Sequence, residues 1–151
     1  MTIILYVACL IPKKIDQIAK NKEIIRIYRL GKYIIFELSN SISLIFHLGM
    51  TGRIRLLKKS DYRKLKHDHI IIYLNYNEVI IFNDPRKFGF VDISKTSEFK
   101  QKKYISNLGL DPFQKELDEN YLLNKFDRSS IPIKQLLLNQ KIVAGIGNIY
   151  A

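Results

Sequence analysis

Between residues 23 and 95 the chain is a succession of short apolar runs: "EIIRIYRL", "KYIIFEL", "SLIFHL", "RIRLL", "IIIYL" and "VIIF". They are rich in Ile, Tyr and Phe and separated by Gly, Asn or Ser, which is the pattern of successive antiparallel strands. "IIIYL" and "VIIF" flank "NYNE", a hairpin connection of ordinary length. The expectation is a sheet-rich body over about residues 23–95, inside a chain of 151 residues that is the usual size of one domain.

The two ends read differently. "MTIILYVACLIP" has no Lys or Arg ahead of its apolar run and no clear small-residue cleavage site, and it is too short to span a bilayer. It reads as a buried strand. Ile11, Ile15, Ile18 and Ala19 then recur at helical spacing, which predicts a short amphipathic helix over 12–21. From about residue 115 strand signals fade. "YLLNKF" and "IPIKQLLLNQ" place apolar residues three and four apart, with Ser129 or Ser130 ahead of Pro132 as a helix start. In "GIGNIYA" turn glycines precede Asn148, a candidate N-cap. The polar stretch from Lys95 to Lys103 reads as the linker.

Lys and Arg number 25 against 14 Asp and Glu, a formal net charge of +11, so polyanions are the natural partners. The single cysteine, Cys9, makes no intramolecular disulfide, and no Cys-x-x-Cys pair offers a zinc site. The chain reads as cytosolic and metal-free, with no membrane partner.

Several stretches could carry chemistry. Arg53, Arg55, Lys58, Lys59, Arg63, Lys64 and Lys66 crowd between two strands with Asp61 alone opposing them. They form either a solvated connection or a phosphate-contacting loop. "KHDHI" puts His67 and His69 on one face if it is strand. That pair suits a metal poorly for want of a third ligand, and suits a phosphate oxygen better. In "HLGMTGR", Gly49 and Gly52 bracket Met50 at a turn, where a flexible apolar side chain can wedge between base pairs. In "FNDPRKFGF", Arg86 and Phe88 can fill the gap left when a nucleotide is turned out of a duplex. The alternative is a strand end with Phe88 and Phe90 in the core and Arg86 paired to Asp84.

"GKYIIFEL", "LIFHLGMTGR", "KHDHI", "FNDPRKFGF", "LGLDPF" and "IPIKQLLLNQKIVAGIGNIYA" occur in the order and spacing of the formamidopyrimidine-DNA glycosylase family. The chain resembles that family from about residue 24 to Ala151. The resemblance implies an α+β fold: a two-layered antiparallel β-sandwich with flanking helices over 1–100, a linker over 101–116, and the start of a helical, helix-two-turn-helix domain over 117–151. It implies removal of oxidised purines from double-stranded, damaged DNA, with β-elimination at the abasic site through a Schiff base. Lys32 falls on the family's proton donor for that elimination, and a lysine beside a strand in a basic groove would serve equally as a phosphate anchor. Met50, Arg86 and Phe88 fall on the void-filling triad, with Arg86 facing the orphaned base. His67, Lys134 and Asn148 fall on DNA-contacting positions.

The departures from the family pattern are specific. The family begins with a proline nucleophile and a glutamate after the initiator Met, where this chain reads Met1-Thr2-Ile3. Ser129 or Ser130 stands where the family places a lysine, with Arg128 the nearest substitute. The family's zinc finger would lie beyond Ala151, so no cofactor is expected in this chain, and a second chain could supply that part. The expectation is a fragment of a glycosylase with impaired catalysis, the alternative being a non-catalytic duplex-DNA-binding remnant.

Overall fold

The computed structural model describes residues 15–127 and 129–151 in full and residues 4–7 as backbone. Met1, Thr2, Cys9 and Arg128, named above, lie outside the described residues, as does the first part of the helix expected over 12–21. In chain order the elements are β1 (Ile4–Val7), α1 (Ile15–Ala19), β2 (Ile24–Leu30), β3 (Tyr33–Leu38), β4 (Ile42–His47) and β5 (Arg53–Lys58). There follow β6 (Asp68–Tyr73), β7 (Glu78–Asn83), β8 (Phe90–Lys95), a 3₁₀ turn at Phe99–Gln101, α2 (Lys103–Ser106), α3 (Glu119–Phe126) and α4 (Ile133–Leu138). They fall into two compact units, one comprising residues 1–28 and 33–99, the other residues 29–32 and 100–151.

The first unit holds two four-stranded sheets, ordered β1-β6-β7-β5 and β2-β3-β4-β8. They share one core. Phe36, Leu38, Leu44 and Phe46 of the second sheet pack with Ile70, Ile72, Ile80 and Phe82 of the first, and α1 adds Ile15 and Ala19. Phe46 and Phe82 meet edge to face across the layers, ring centroids 6.0 Å apart. This is a two-layered antiparallel sandwich. A strand is present at the N-terminal end, β1, pairing with β6 from Ile4↔Tyr73 to Val7↔Ile70.

β6 and β7 are apolar at consecutive positions because both faces of their sheet are covered. Ile70, Ile72, Ile80 and Phe82 face the sandwich, while Ile71, Val79 and Ile81 pack on the outer side with Leu57, Tyr62 and Tyr73. Each such side chain is worth about 1.5–3 kcal/mol when buried, so the connection carrying Tyr62 is held down firmly. The polar stretch after β8, expected as a linker, is pinned by Phe99, which is 1% exposed.

The second unit is helical. Leu136, Ile142 and Val143 form its centre, with Leu117, Tyr121, Leu122, Phe126, Leu137 and Ile146 packed around them. α3 starts at Asp118, whose Oδ1 accepts from the Tyr121 N–H at 2.7 Å, an ordinary side-chain cap. α4 starts otherwise than expected. Pro132 itself is the N-cap and makes no side-chain bond. Ser129 Oγ accepts instead from the Ile131 N–H at 3.3 Å, one turn too early to cap the helix.

Candidate nucleic-acid interface

In the first unit two loops leave the same end of one sheet: Leu48–Gly52 before β5 and Asp84–Gly89 after β7. Arg53 at the start of β5 is paired with Asn83 at the end of β7. The loops approach at backbone distance. A Cβ placed on Gly49 would lie 2.6 Å from the Gly89 nitrogen, and Gly49 sits at φ +61°, so only glycine fits.

Asp84, 1% exposed, ties them together. Thr51 Oγ1 donates to its Oδ1 at 2.6 Å, the Gly89 N–H to its Oδ2 at 2.8 Å, and the Arg86 N–H to Oδ1 at 3.3 Å. Burial opposes charge on this carboxyl, but the bonds from Thr51, Gly89 and Arg86, with His69 nearby, outweigh it and hold the pKa below its ordinary 3.8. Asp84 is thus a carboxylate occupied by loop donors, and it is not paired with the Arg86 guanidinium.

The side chains left outside are the three of the expected triad. Met50 is 73% exposed, Phe88 55%, and Arg86 is exposed with its Cζ 4.6 Å from the Phe88 ring centroid. The alternative of a core Phe88 is excluded. Phe90 is half-buried and stacks on His47 at 5.4 Å. Met50 and Phe88 are thus large apolar groups left largely in solvent on loops that glycines bound.

The two histidines part company. β6 begins at Asp68 and its register with β7 is irregular between Asp68 and Ile70, so His67 precedes the strand. His67 is half-exposed, and its carbonyl accepts from the Asp84 N–H at 3.1 Å, which places it beside the same loop. His69 is buried, with Nε2 2.8 Å from the Asp84 carbonyl oxygen, and is structural. Among the described residues no three His, Cys, Asp or Glu side chains converge as a metal site. The basic run also divides. Arg53, Arg55 and Lys58 lie on β5 rather than in a loop, and Arg55 is ion-paired to buried Asp68 at 3.1 Å.

In the second unit Arg29 holds Asp111 by two bonds, Nη1 to Oδ2 at 2.7 Å and Nη2 to Oδ1 at 2.9 Å, while Nη1 also donates to the Gly31 carbonyl at 3.0 Å. The guanidinium lowers the Asp111 pKa. This clamp fixes the turn that carries Lys32. A Cβ on Gly147 would lie 3.6 Å from Lys32 Nζ, so the ammonium stands over the 145–148 loop, and burial lowers its pKa. Gln140 shapes that loop, accepting from the Gly145 N–H and donating to the Ile146 carbonyl, both at 2.9 Å. The last turn begins one residue earlier than expected. Gly147 O accepts from the Ala151 N–H at 3.1 Å, which makes Gly147 the N-cap and puts exposed Asn148 in the first turn. Lys134 Nζ donates to the Ala151 carbonyl at 3.2 Å, so Lys32, Lys134 and Asn148 gather around this one turn.

Sequence reasoning missed the positioning residues Asp84, Thr51, Arg29, Asp111 and Gln140. Asp84 had a local signal, an Asp directly before Pro with two N–H groups following. The Arg29–Asp111 clamp had none, its partners lying 82 residues apart.

Comparison with known proteins gives a consistent outcome. The formamidopyrimidine-DNA glycosylase N-terminal domain matches residues 5–91, and the formamidopyrimidine-DNA glycosylase H2TH domain matches residues 108–151. A formamidopyrimidine-DNA glycosylase of Rickettsia bellii is 43% identical over 136 residues, covering 90% of this chain and 49% of that protein. One from the Wolbachia of Brugia malayi is 40% identical over 141 residues, covering 93% and 51%. Lactococcus lactis Fpg in complex with abasic-site DNA superposes with a TM-score of 0.89 at 33% identity, covering 99% of this chain and 56% of that one. Its complex with FAPY-dG-containing DNA gives 0.88 at 33%, covering 99% and 58%. The chain spans about half the length of the relatives it matches.

Proposed function

The chain belongs to the formamidopyrimidine-DNA glycosylase family, and from that membership we propose that it serves base-excision repair of DNA in a bacterial cytoplasm. It grips a damaged duplex and fills the hole left by an everted oxidised purine. Turning a nucleotide out costs a few kcal/mol of stacking, so the protein must put matter of its own into the stack. Met50 supplies a flexible apolar wedge, Phe88 a flat face, and Arg86 a planar fork of donors for the orphaned base. The observation that carries this reading is the exposure of all three on two loops fastened by Asp84.

His67, Lys134 and Asn148 contact phosphate oxygens in this reading, which fixes the register of the duplex without reading its sequence. Lys32 takes a phosphate or gives the proton of β-elimination. Its lowered pKa suits the second role, because a more acidic ammonium is a better donor near neutral pH. The described residues carry the binding half of the family activity. A purely binding role rests on the same side chains, and covalent trapping separates the two.

The test is fluorescence anisotropy on matched duplexes with and without an abasic site. Tighter binding to the damaged duplex is expected. Equal affinity for both, or none for either, overturns the proposal. Borohydride added to an oxidised-purine duplex then reports whether an amine of the chain attacks C1′, since a Schiff base alone is fixed to DNA.

A further inference from the structure

The connection between β5 and β6 is a basic strip laid along the sheet. β5 and β6 both pair antiparallel with β7, so they run parallel to each other, and residues 59–67 must travel back the full length of the sheet to join them. Six strand residues at about 3.3 Å each make that path roughly 20 Å.

Three attachments keep the strip in place. At its start the Lys59 N–H donates to the Asn77 carbonyl at 2.8 Å, and Lys59 Nζ stands 5.4 Å from the Tyr73 ring centroid. In the middle Tyr62 packs on Ile71, Val79 and Ile81. At the end buried Asp68 accepts from the Leu65 N–H at 2.8 Å, from Tyr62 OH at 3.3 Å and from Asn83 at 2.8 Å. Arg63 Nη1 braces the bend by donating to the Ser60 and Tyr62 carbonyls.

Lys58, Lys59, Arg63, Lys64 and Lys66 are all exposed along this path. The acids nearby are Asp61 and Glu78, the residue opposite Lys58 on β7, while the Asp68 carboxylate is taken up by Arg55 and the loop donors. A floppy loop could spread like charges apart. This one is fastened, so its field stays concentrated until an anion arrives.

We propose that residues 58–66 form a second phosphate-binding strip, contacting the duplex arm that flanks the lesion. The strip ends at His67, whose carbonyl holds the Asp84 N–H, and it leads away from the loop that bears Arg86 and Phe88. Its length corresponds to about six base pairs of 3.4 Å rise. A fastened track carrying five basic side chains beside the loop that bears Arg86 and Phe88 fits a nucleic-acid backbone better than a membrane surface. The inference rests on the reading that the chain binds duplex DNA.

The test compares the chain with Lys58→Gln/Lys59→Gln, the end of the strip farthest from the lesion loop, checked for folding by circular dichroism, on GC-rich abasic duplexes of about 8 and about 30 base pairs across a salt series, the shorter having arms too short to reach that end. Log affinity against log salt is expected to lose about 0.9 of slope per phosphate contact removed, on the long duplex and not on the short one. Unchanged slope on the long duplex, or an equal loss on both, overturns the strip while leaving duplex binding standing. Absence of duplex binding by the unaltered chain overturns the proposed function and the strip together. Phosphatidylserine vesicles serve as the further arm: binding that the variant loses there, with its duplex slope intact, assigns the strip to membrane and overturns the proposal.

Discussion

Thr51 and Asp84, 33 residues apart, are joined by a 2.6 Å hydrogen bond from the threonine hydroxyl to a carboxylate that is 1% exposed. That bond fastens the Met50 turn to the Arg86–Phe88 loop, and so makes one rigid surface of two loops. Replacing Asp84 with Ala strands the Gly89 and Arg86 N–H groups and the Thr51 hydroxyl. The expected loss is about 2–4 kcal/mol of stability, read by urea denaturation. Since the folded pKa is held below the ordinary 3.8, the stabilisation is complete above that value and disappears as pH falls through the lowered one. Melts taken from about pH 6 downward should show the advantage over Asp84→Asn shrinking on the acid side.

Gly49→Ala tests the close approach of the same loops. The added methyl meets the Gly89 nitrogen at 2.6 Å and the backbone already sits at φ +61°. The left-handed backbone alone costs roughly 1–2 kcal/mol, and the clash adds to it. Thermal denaturation should register a loss beyond that figure, with weakened duplex binding because Met50 is displaced.

Legibility from sequence followed the range of the interaction. The strands of 24–95 and both later helices were readable because alternation and helical spacing are local signals, whereas the residues alone left Arg86 and Phe88 open between core and display, and the triad came only from the family resemblance. Ser129 misled because a Ser before a Pro resembles a cap, whereas the helix here starts on Pro132 itself. Asn148 misled in the same way, one residue late, since the first carbonyl of the turn belongs to Gly147. The basic run looked opposed by Asp61 alone because Asp68, which is buried and neutralises Arg55, sits 13 residues on from it. Asp84 taken by Thr51 and Arg29 taken by Asp111 are tertiary events with no periodic trace.

Truncating the triad should separate stability from binding. Met50→Ala removes an exposed group, so its unfolding free energy should move by no more than about 0.5 kcal/mol, while Phe88→Ala should match Arg86→Ala. Arg86→Ala gives up only the stacking on Phe88, worth about 0.5–1 kcal/mol at an exposed site. Affinity for an abasic duplex should fall at least several-fold in each. A fluorescent base analogue placed opposite the lesion should report less unstacking. Variants that lose stability and keep affinity would show that the three side chains are packing groups.

Lys32 offers a pH test with a definite sign. Burial lowers its pKa from 10.5, so it sheds its proton at a lower pH than other lysines do. A phosphate contact made by its ammonium is complete at neutral pH and fades as pH rises toward the lowered value. An arginine at the same position stays charged throughout that range. Lys32→Arg should therefore match the unaltered chain on duplex DNA near pH 7 and bind progressively tighter than it as pH is raised, in an affinity titration at constant salt. A ratio that stays flat all the way up to the ordinary lysine value of 10.5, above the lowered one, would remove Lys32 from the phosphate contacts and leave proton donation as its role.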